Sequence, residues 1–246
     1  MKPRSPLCVL LAALGIFGMT TLASAGPIFS EIEVQGHRCL VAGPVQIPDD
    51  APVVFILHGL GANSANLFPL IEEMNLPPCR YILPDGIMTV GPYAYGWYDL
   101  PTNNRADMVR SRDYLFGLMR RFSAVKGKPN HPRPIIVMGF SQGAVMSLEA
   151  GLNYKGGVKA IVSMGGYIWD PSKTLARPKA PLNLPILILH GTEDRIISEN
   201  LTARTVAAVK QAGYQPIFKE YSAGHEVTDA MVADVAQFLQ GVINQK

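Results

Sequence analysis

The chain has 246 residues, of which 48% are hydrophobic and 17% charged, with a formal net charge of +3 from 22 bases and 19 acids. This length can bury a sizeable core, and three cysteines are too few for a disulfide-built scaffold. The bases are scattered, which excludes a concentrated nucleic-acid surface or a polybasic membrane patch as the basis of function.

In chain order, residues 1–6 carry Lys2 and Arg4 and no acid, residues 7–22 are apolar and uncharged, and Ala23-Ser24-Ala25 closes in an A-x-A pattern. These features predict a secretory signal peptide over 1–25, cut after Ala25, and a single domain over 26–246. An exported protein, periplasmic or secreted, is therefore expected. The apolar run of about 16 residues is shorter than the roughly 20 that a membrane span needs, so no stable anchor is expected after cleavage. An uncleaved anchor is the alternative. Cys39 and Cys79 would then sit in an oxidising compartment, where a disulfide is permitted, although the sequence does not place them within bonding distance.

Beyond the leader, short β-branched runs ending near Gly alternate with helical patterns. Residues 28–34 and 38–42 predict an opening hairpin, and VVFIL (53–57) a buried strand. A helix is predicted over 66–74 and a short strand over 81–83. Residues 87–102, rich in Gly, Pro and Tyr, read as a long irregular segment of the kind that carries function or forms a lid. A long helix follows over 105–126, a strand over 135–138, a helix over 142–152, and strands over 158–164 and 186–189. A helix over 201–212, a strand over 217–221 and a closing helix over 227–242 complete the chain. Apolar strands alternating with helices imply an α/β fold: a single, mostly parallel sheet covered by helices on both faces. Reactive residues in such sheets gather just past the carboxyl ends of the strands.

The strongest motif is Gly139-Phe140-Ser141-Gln142-Gly143, between a predicted strand and a predicted helix. It is a G-x-S-x-G nucleophile elbow, in which a strained turn lifts the serine hydroxyl above the sheet. The helix behind it points its positive end at the site. A serine nucleophile needs a base, and the base needs an orienting acid, in the chain order Ser, acid, His. After strand 186–189 come Glu193 and Asp194, two adjacent candidates for the acid. After strand 217–221 comes His225, the histidine in the right order and place. His58 and His190 precede glycines at strand ends and read as structural. The residue after the nucleophile, Gln142, supplies one backbone N–H for an oxyanion hole. The loop His58-Gly59-Leu60-Gly61 supplies the other, from Leu60.

These motifs resemble the carboxylesterase/phospholipase branch of the α/β-hydrolases, the group that includes acyl-protein thioesterases and small bacterial esterases. The resemblance covers about residues 51–243 and rests on HGLG (58–61), LPDG (83–86), GWYD (96–99), GFSQGA (139–144), HGTEDRII (190–197) and GHE (224–226). It implies an α/β-hydrolase fold, with Ser141 as nucleophile, Asp194 rather than Glu193 as orienter, and His225 as base. It further implies oxyanion donation from Leu60 and Gln142. Trp97 and Tyr98 are placed beside the acyl site, with a core aromatic as the alternative reading of Trp97. Relatives often carry an acid straight after HGLG, where this chain has Ala62-Asn63. The leader is unlike the cytosolic thioesterases, so acyl-protein substrates on a cytosolic membrane face are not expected.

The expected function is a serine hydrolase that cleaves small carboxylic or thio esters through an acyl-enzyme on Ser141, acting as an exported carboxylesterase. An exported polyester or feruloyl esterase is the first alternative. A catalytically silent α/β-hydrolase binding module is the alternative of another class. No cofactor, metal or nucleic-acid partner is expected, because no ligand-spaced His/Cys/carboxylate set or phosphate-binding glycine loop is present.

Overall fold

A computed structural model of the chain describes residues 28–44, 46–100 and 105–245. The predicted signal peptide lies outside the described residues. An eight-stranded sheet forms the centre, in the order β1-β2-β4-β3-β7-β8-β9-β10. Strands β1 (Ile28–Val34) and β2 (His37–Gly43) make the opening hairpin at one edge. β3 (Val53–Leu57) and β4 (Arg80–Pro84) follow, then β7 (Ile135–Phe140), β8 (Val158–Met164), β9 (Ile186–Gly191) and β10 (Ile217–Tyr221). Only β2 runs against its neighbours; all the others share one direction, so the sheet is the mostly parallel one expected.

Alternation along each strand divides the core into two. Val53, Phe55 and Leu57 of β3 face one cluster, shared with helices α2 (Arg105–Ser123), α3 (Gln142–Asn153) and α5 (Glu199–Gln211). Val54 and Ile56 face the other, shared with α1 (Pro69–Met74) and α6 (Asp229–Asn244). Both faces of β3 are fully buried, which is why VVFIL reads as a continuous apolar run rather than an alternating one. The same division separates the two cysteines, Cys39 in the first cluster and Cys79 in the second. Cys39 lies opposite Pro84, five residues further along the chain than Cys79, or about 16 Å at strand rise. Both thiols are free, and burial pushes each up to about 12. The disulfide permitted by the sequence is therefore not formed.

The boundaries differ from expectation where local capping decides them. Asn63 caps a 3-10 turn, Ser64–Leu67, and Pro69 opens α1, so the single helix predicted over 66–74 is split in two. Thr228 accepts a hydrogen bond from the Met231 amide and starts α6 at Asp229, leaving His225 in the preceding loop. The segment predicted to be irregular contains a small hairpin, β5 (Met88–Gly91) with β6 (Ala94–Gly96). A four-residue helix, α4 (Pro171–Thr174), capped by Asp170, was too short to predict.

The chain steps from β3 outward to β4, then back across β3 to β7. The loops after β3 and β7 therefore emerge side by side at the carboxyl end of the sheet, where such sheets hold their sites. Close approach at this seam demands glycine. A Cβ on Gly143 would be driven into the carbonyl of Leu57 and stand 2.6 Å from the His58 carbonyl oxygen, both backbone atoms of the neighbouring strand end. Gly143→Ala is expected to destabilise the fold by about 3 kcal/mol, the upper part of the overpacking range. Thermal unfolding checks this as a fall in Tm of roughly 6–12 °C for a chain of this size. A change of less than about 2 °C would show that the two strand ends are not held this tightly.

Candidate active site

Ser141 sits between β7 and α3 with φ 55° and ψ −121°, a left-handed conformation that serine rarely adopts. Its backbone is fixed on both sides. Its N–H donates to Met164 O at 3.0 Å, and its carbonyl accepts from the amides of Ala144 and Val145 at 2.9 and 3.1 Å. The strained turn is held by these bonds.

His225 reaches that hydroxyl. Its Nε2 lies 2.7 Å from Ser141 Oγ, and its Nδ1 lies 2.6 Å from Asp194 Oδ2. Three side chains from the ends of β7, β9 and β10 therefore form one continuous hydrogen-bonded line. The imidazole packs against Phe140, with ring centroids 4.9 Å apart. Asp194 is held by its own turn, in which Oδ1 accepts from the amides of Ile196 and Ile197, both at 2.8 Å. Burial pushes the Asp194 carboxyl up, but the hydrogen bond from His225 and those from the two amides outweigh it, and the net shift is downward. A depressed carboxylate contributes stability above its unfolded value and loses it only as pH falls through the folded value, below about 4. Asp194 thus stays ionised throughout pH 5–8. Glu193, the rival acid, is exposed and accepts a hydrogen bond from Ser222 Oγ at 2.9 Å.

The amides predicted for an oxyanion hole belong to the residue after Ser141 and to the loop packed against it. Gln142 opens α3, where first-turn amides have no helical acceptor. Gly59 sits against the serine, since a Cβ added there would lie 3.3 Å from Ser141 Cβ, and Leu60 follows it. Among the described residues, neither the Leu60 nor the Gln142 amide donates to a protein acceptor. Asn63, where relatives often place an acid nearby, accepts from the Ala65 amide and donates to Tyr93 O, each at 2.9 Å.

Trp97 and Tyr98 are buried, at 0% and 3% exposure, so neither ring is open to a ligand. The Trp97 indole Nε1 instead donates to the His58 carbonyl at 2.8 Å, which is the packing alternative for this aromatic. Sequence reasoning missed this scaffold, and also missed both ends of the Gln142 side chain. Its Oε1 accepts from the Trp97 amide at 2.7 Å, and its Nε2 donates to Tyr98 O at 2.6 Å. No periodicity or motif signals a side-chain clamp of this kind.

His58 proves structural, as expected. Its Nε2 accepts from the Gly86 amide at 2.9 Å, so Nδ1 carries the hydrogen and donates to Gly59 O at 2.7 Å. Burial lowers its pKa below 6.5, against the opposing pull of the Gly59 hydrogen bond and the Asp85 charge. The neutral form is required, because a protonated ring would point a second donor at the Gly86 amide. The stability this contributes is complete above about pH 6.5 and is lost as pH falls through the lowered folded value. Tm is therefore expected to decline from pH 7 to pH 5, and His58→Asn to be less stable at pH 7 but with a shallower decline. An unchanged slope in the variant would contradict the neutral-histidine role.

Among the described residues, no three His, Cys, Asp or Glu side chains cluster so as to hold a metal ion, and no helix is long and apolar enough to cross a membrane.

Comparison with known proteins agrees with this architecture. The sequence profile of the phospholipase/carboxylesterase family matches residues 45–243. Acyl-protein thioesterase 1 of Emericella nidulans is 26% identical over 217 residues, covering 77% of this chain and 90% of that protein. The protein of the same name from Schizosaccharomyces pombe is 30% identical over 166 residues, covering 62% of this chain and 72% of that one. Among solved structures, Zea mays acyl-protein thioesterase 2 superposes with a TM-score of 0.68 at 22% identity, covering 84% of this chain and 99% of that one. The Bacillus cereus carboxylesterase gives 0.67 at 17% identity, covering 84% and 94%. These relatives overturn the expectation of an exported enzyme. The curated matches are acyl-protein thioesterases, the group that the sequence reading placed in the cytosol and set aside because of the apparent leader.

Proposed function

This chain belongs to the phospholipase/carboxylesterase family of α/β-hydrolases, and on that premise we propose that it hydrolyses carboxylic esters or thioesters through an acyl-enzyme on Ser141. The observation that carries the reading is the line from Ser141 Oγ through His225 to Asp194, with gaps of 2.7 and 2.6 Å. Ser141 Oγ attacks the acyl carbon while its proton passes to His225 Nε2. Asp194 holds the Nδ1–H and offsets the positive charge that develops on the ring. The amides of Leu60 and Gln142 receive the oxyanion. As the tetrahedral intermediate collapses, the proton on Nε2 goes to the departing alkoxide or thiolate. Water then enters by the same route: His225 takes its proton, the carbonyl carbon gains the hydroxyl, and Ser141 leaves with the proton returned. The hydrolase unit spans residues 26–246 in this reading.

A thioester on a protein cysteine is the second substrate class, favoured by the likeness to acyl-protein thioesterases. Turnover of p-nitrophenyl esters of increasing chain length, set beside an S-acylated cysteine peptide, tests both. Hydrolysis of either class supports the proposal, and the preferred class assigns the substrate. Inertness toward both, with no fluorophosphonate adduct, would favour a silent binding module instead.

A further inference from the structure

The loop that carries Leu60 is bonded on both sides of that residue to a neighbouring segment. Around it, the Gly61 amide donates to Tyr95 O at 2.8 Å, and the Tyr95 amide donates to Ala62 O at 2.9 Å. The two bonds already described join His58 to Gly86 and to the Trp97 indole. All four run to residues 86–97. Contact along this seam is tight. A Cβ on Gly96 would lie 2.8 Å from the Leu60 side chain and 3.2 Å from Gln142 Oε1, while one on Gly86 would run into the Gly96 carbonyl. The position of Leu60 relative to Ser141 therefore depends on what ties residues 86–97 to the nucleophile elbow.

That tie is the side chain of Gln142, which is 4% exposed and satisfied at both ends by backbone. Trp97 N–H can only donate and Tyr98 C=O can only accept, so the amide orientation is dictated by its partners. We propose that the Gln142 side chain is a positioning residue for the oxyanion hole. Its backbone supplies one donor, and its side chain sets the distance to the other by clamping the segment that carries the Leu60 loop. The inference rests on the hydrolase reading above. It predicts an effect confined to the tetrahedral state, because a displaced donor harms the oxyanion more than the bound ester.

The test pairs steady-state kinetics on a short p-nitrophenyl ester with inhibition by a trifluoromethyl ketone, which adds to a serine hydroxyl and leaves an oxyanion. Gln142→Met keeps the length and the backbone amide but loses both clamp bonds. It is expected to lower kcat by about 10- to 100-fold with KM within about twofold. The inhibitor Ki should rise by the same factor, and the acid limb of the pH profile should not move, because Gln142 does not touch the His225–Asp194 pair. Trp97→Phe, which removes the indole donor to His58 O along with part of the buried ring volume and leaves the Gln142 bonds in place, should show the same pattern more weakly. In the double variant the losses should be less than multiplicative, since both act on one connection. Unchanged kcat and Ki in Gln142→Met, a rise in KM alone, or a displaced acid limb would overturn the inference. If Gln142→Met does not fold, Trp97→Phe decides by the same readouts, and an unchanged Ki overturns it. An inert wild-type protein would overturn the hydrolase reading itself; an active one with an indifferent Gln142→Met overturns this inference alone.

Discussion

Ser141→Ala is expected to lower kcat/KM for the preferred ester by about 10⁶-fold, the scale seen when the nucleophile of such a constellation is removed. The expectation follows from covalency. Without Oγ no acyl-enzyme forms, and His225 can only activate a water that the site does not orient. The loss should be catalytic and not structural, because the turn is held by the backbone bonds to Met164, Ala144 and Val145, which the substitution leaves in place. Circular dichroism and Tm near those of the wild type, together with the loss of turnover, check both halves. Residual activity above about 1% would place the nucleophile elsewhere.

Asp194→Asn is expected to cost about 10⁴-fold in kcat, and the geometry gives the reason. The amides of Ile196 and Ile197 both donate to Oδ1, so the asparagine oxygen is held there. Its NH2 group then faces His225 Nδ1. The ring must place its hydrogen on Nε2 and can no longer accept the serine proton. Glu193→Gln should leave kcat within about twofold, because that side chain is exposed and, among the described residues, hydrogen-bonds Ser222. Comparable losses in the two variants would mean that the wrong acid has been assigned.

Much of this was legible in the sequence because it is written in local pattern. Buried parallel strands announce themselves as apolar runs such as VVFIL and VKAIVSM, and the elbow carries its own glycines. The Ser, acid, His order follows from the fold, and the structure brings Ser141, Asp194 and His225 together. The choice of Asp194 over Glu193 needed the family resemblance. The structure separates the two acids: one side chain turns inward onto two backbone amides and the other turns out. What the sequence hid consists of long-range side-chain to backbone bonds. Trp97 meets His58 from 39 positions away, and Gln142 meets Trp97 from 45, with no periodicity to betray either. The hairpin β5–β6 was hidden for another reason: its strands, of four and three residues within a segment rich in Gly, Pro and Tyr, fall below the length at which alternation can be read.

Fluorophosphonate labelling, located by peptide mass mapping and timed in His225→Ala, reaches furthest into the account. A single adduct on the peptide containing Ser141, formed at least about 10³-fold more slowly without the imidazole, is the predicted result. An adduct on any other residue, or labelling of Ser141 at an undiminished rate in His225→Ala, would contradict it.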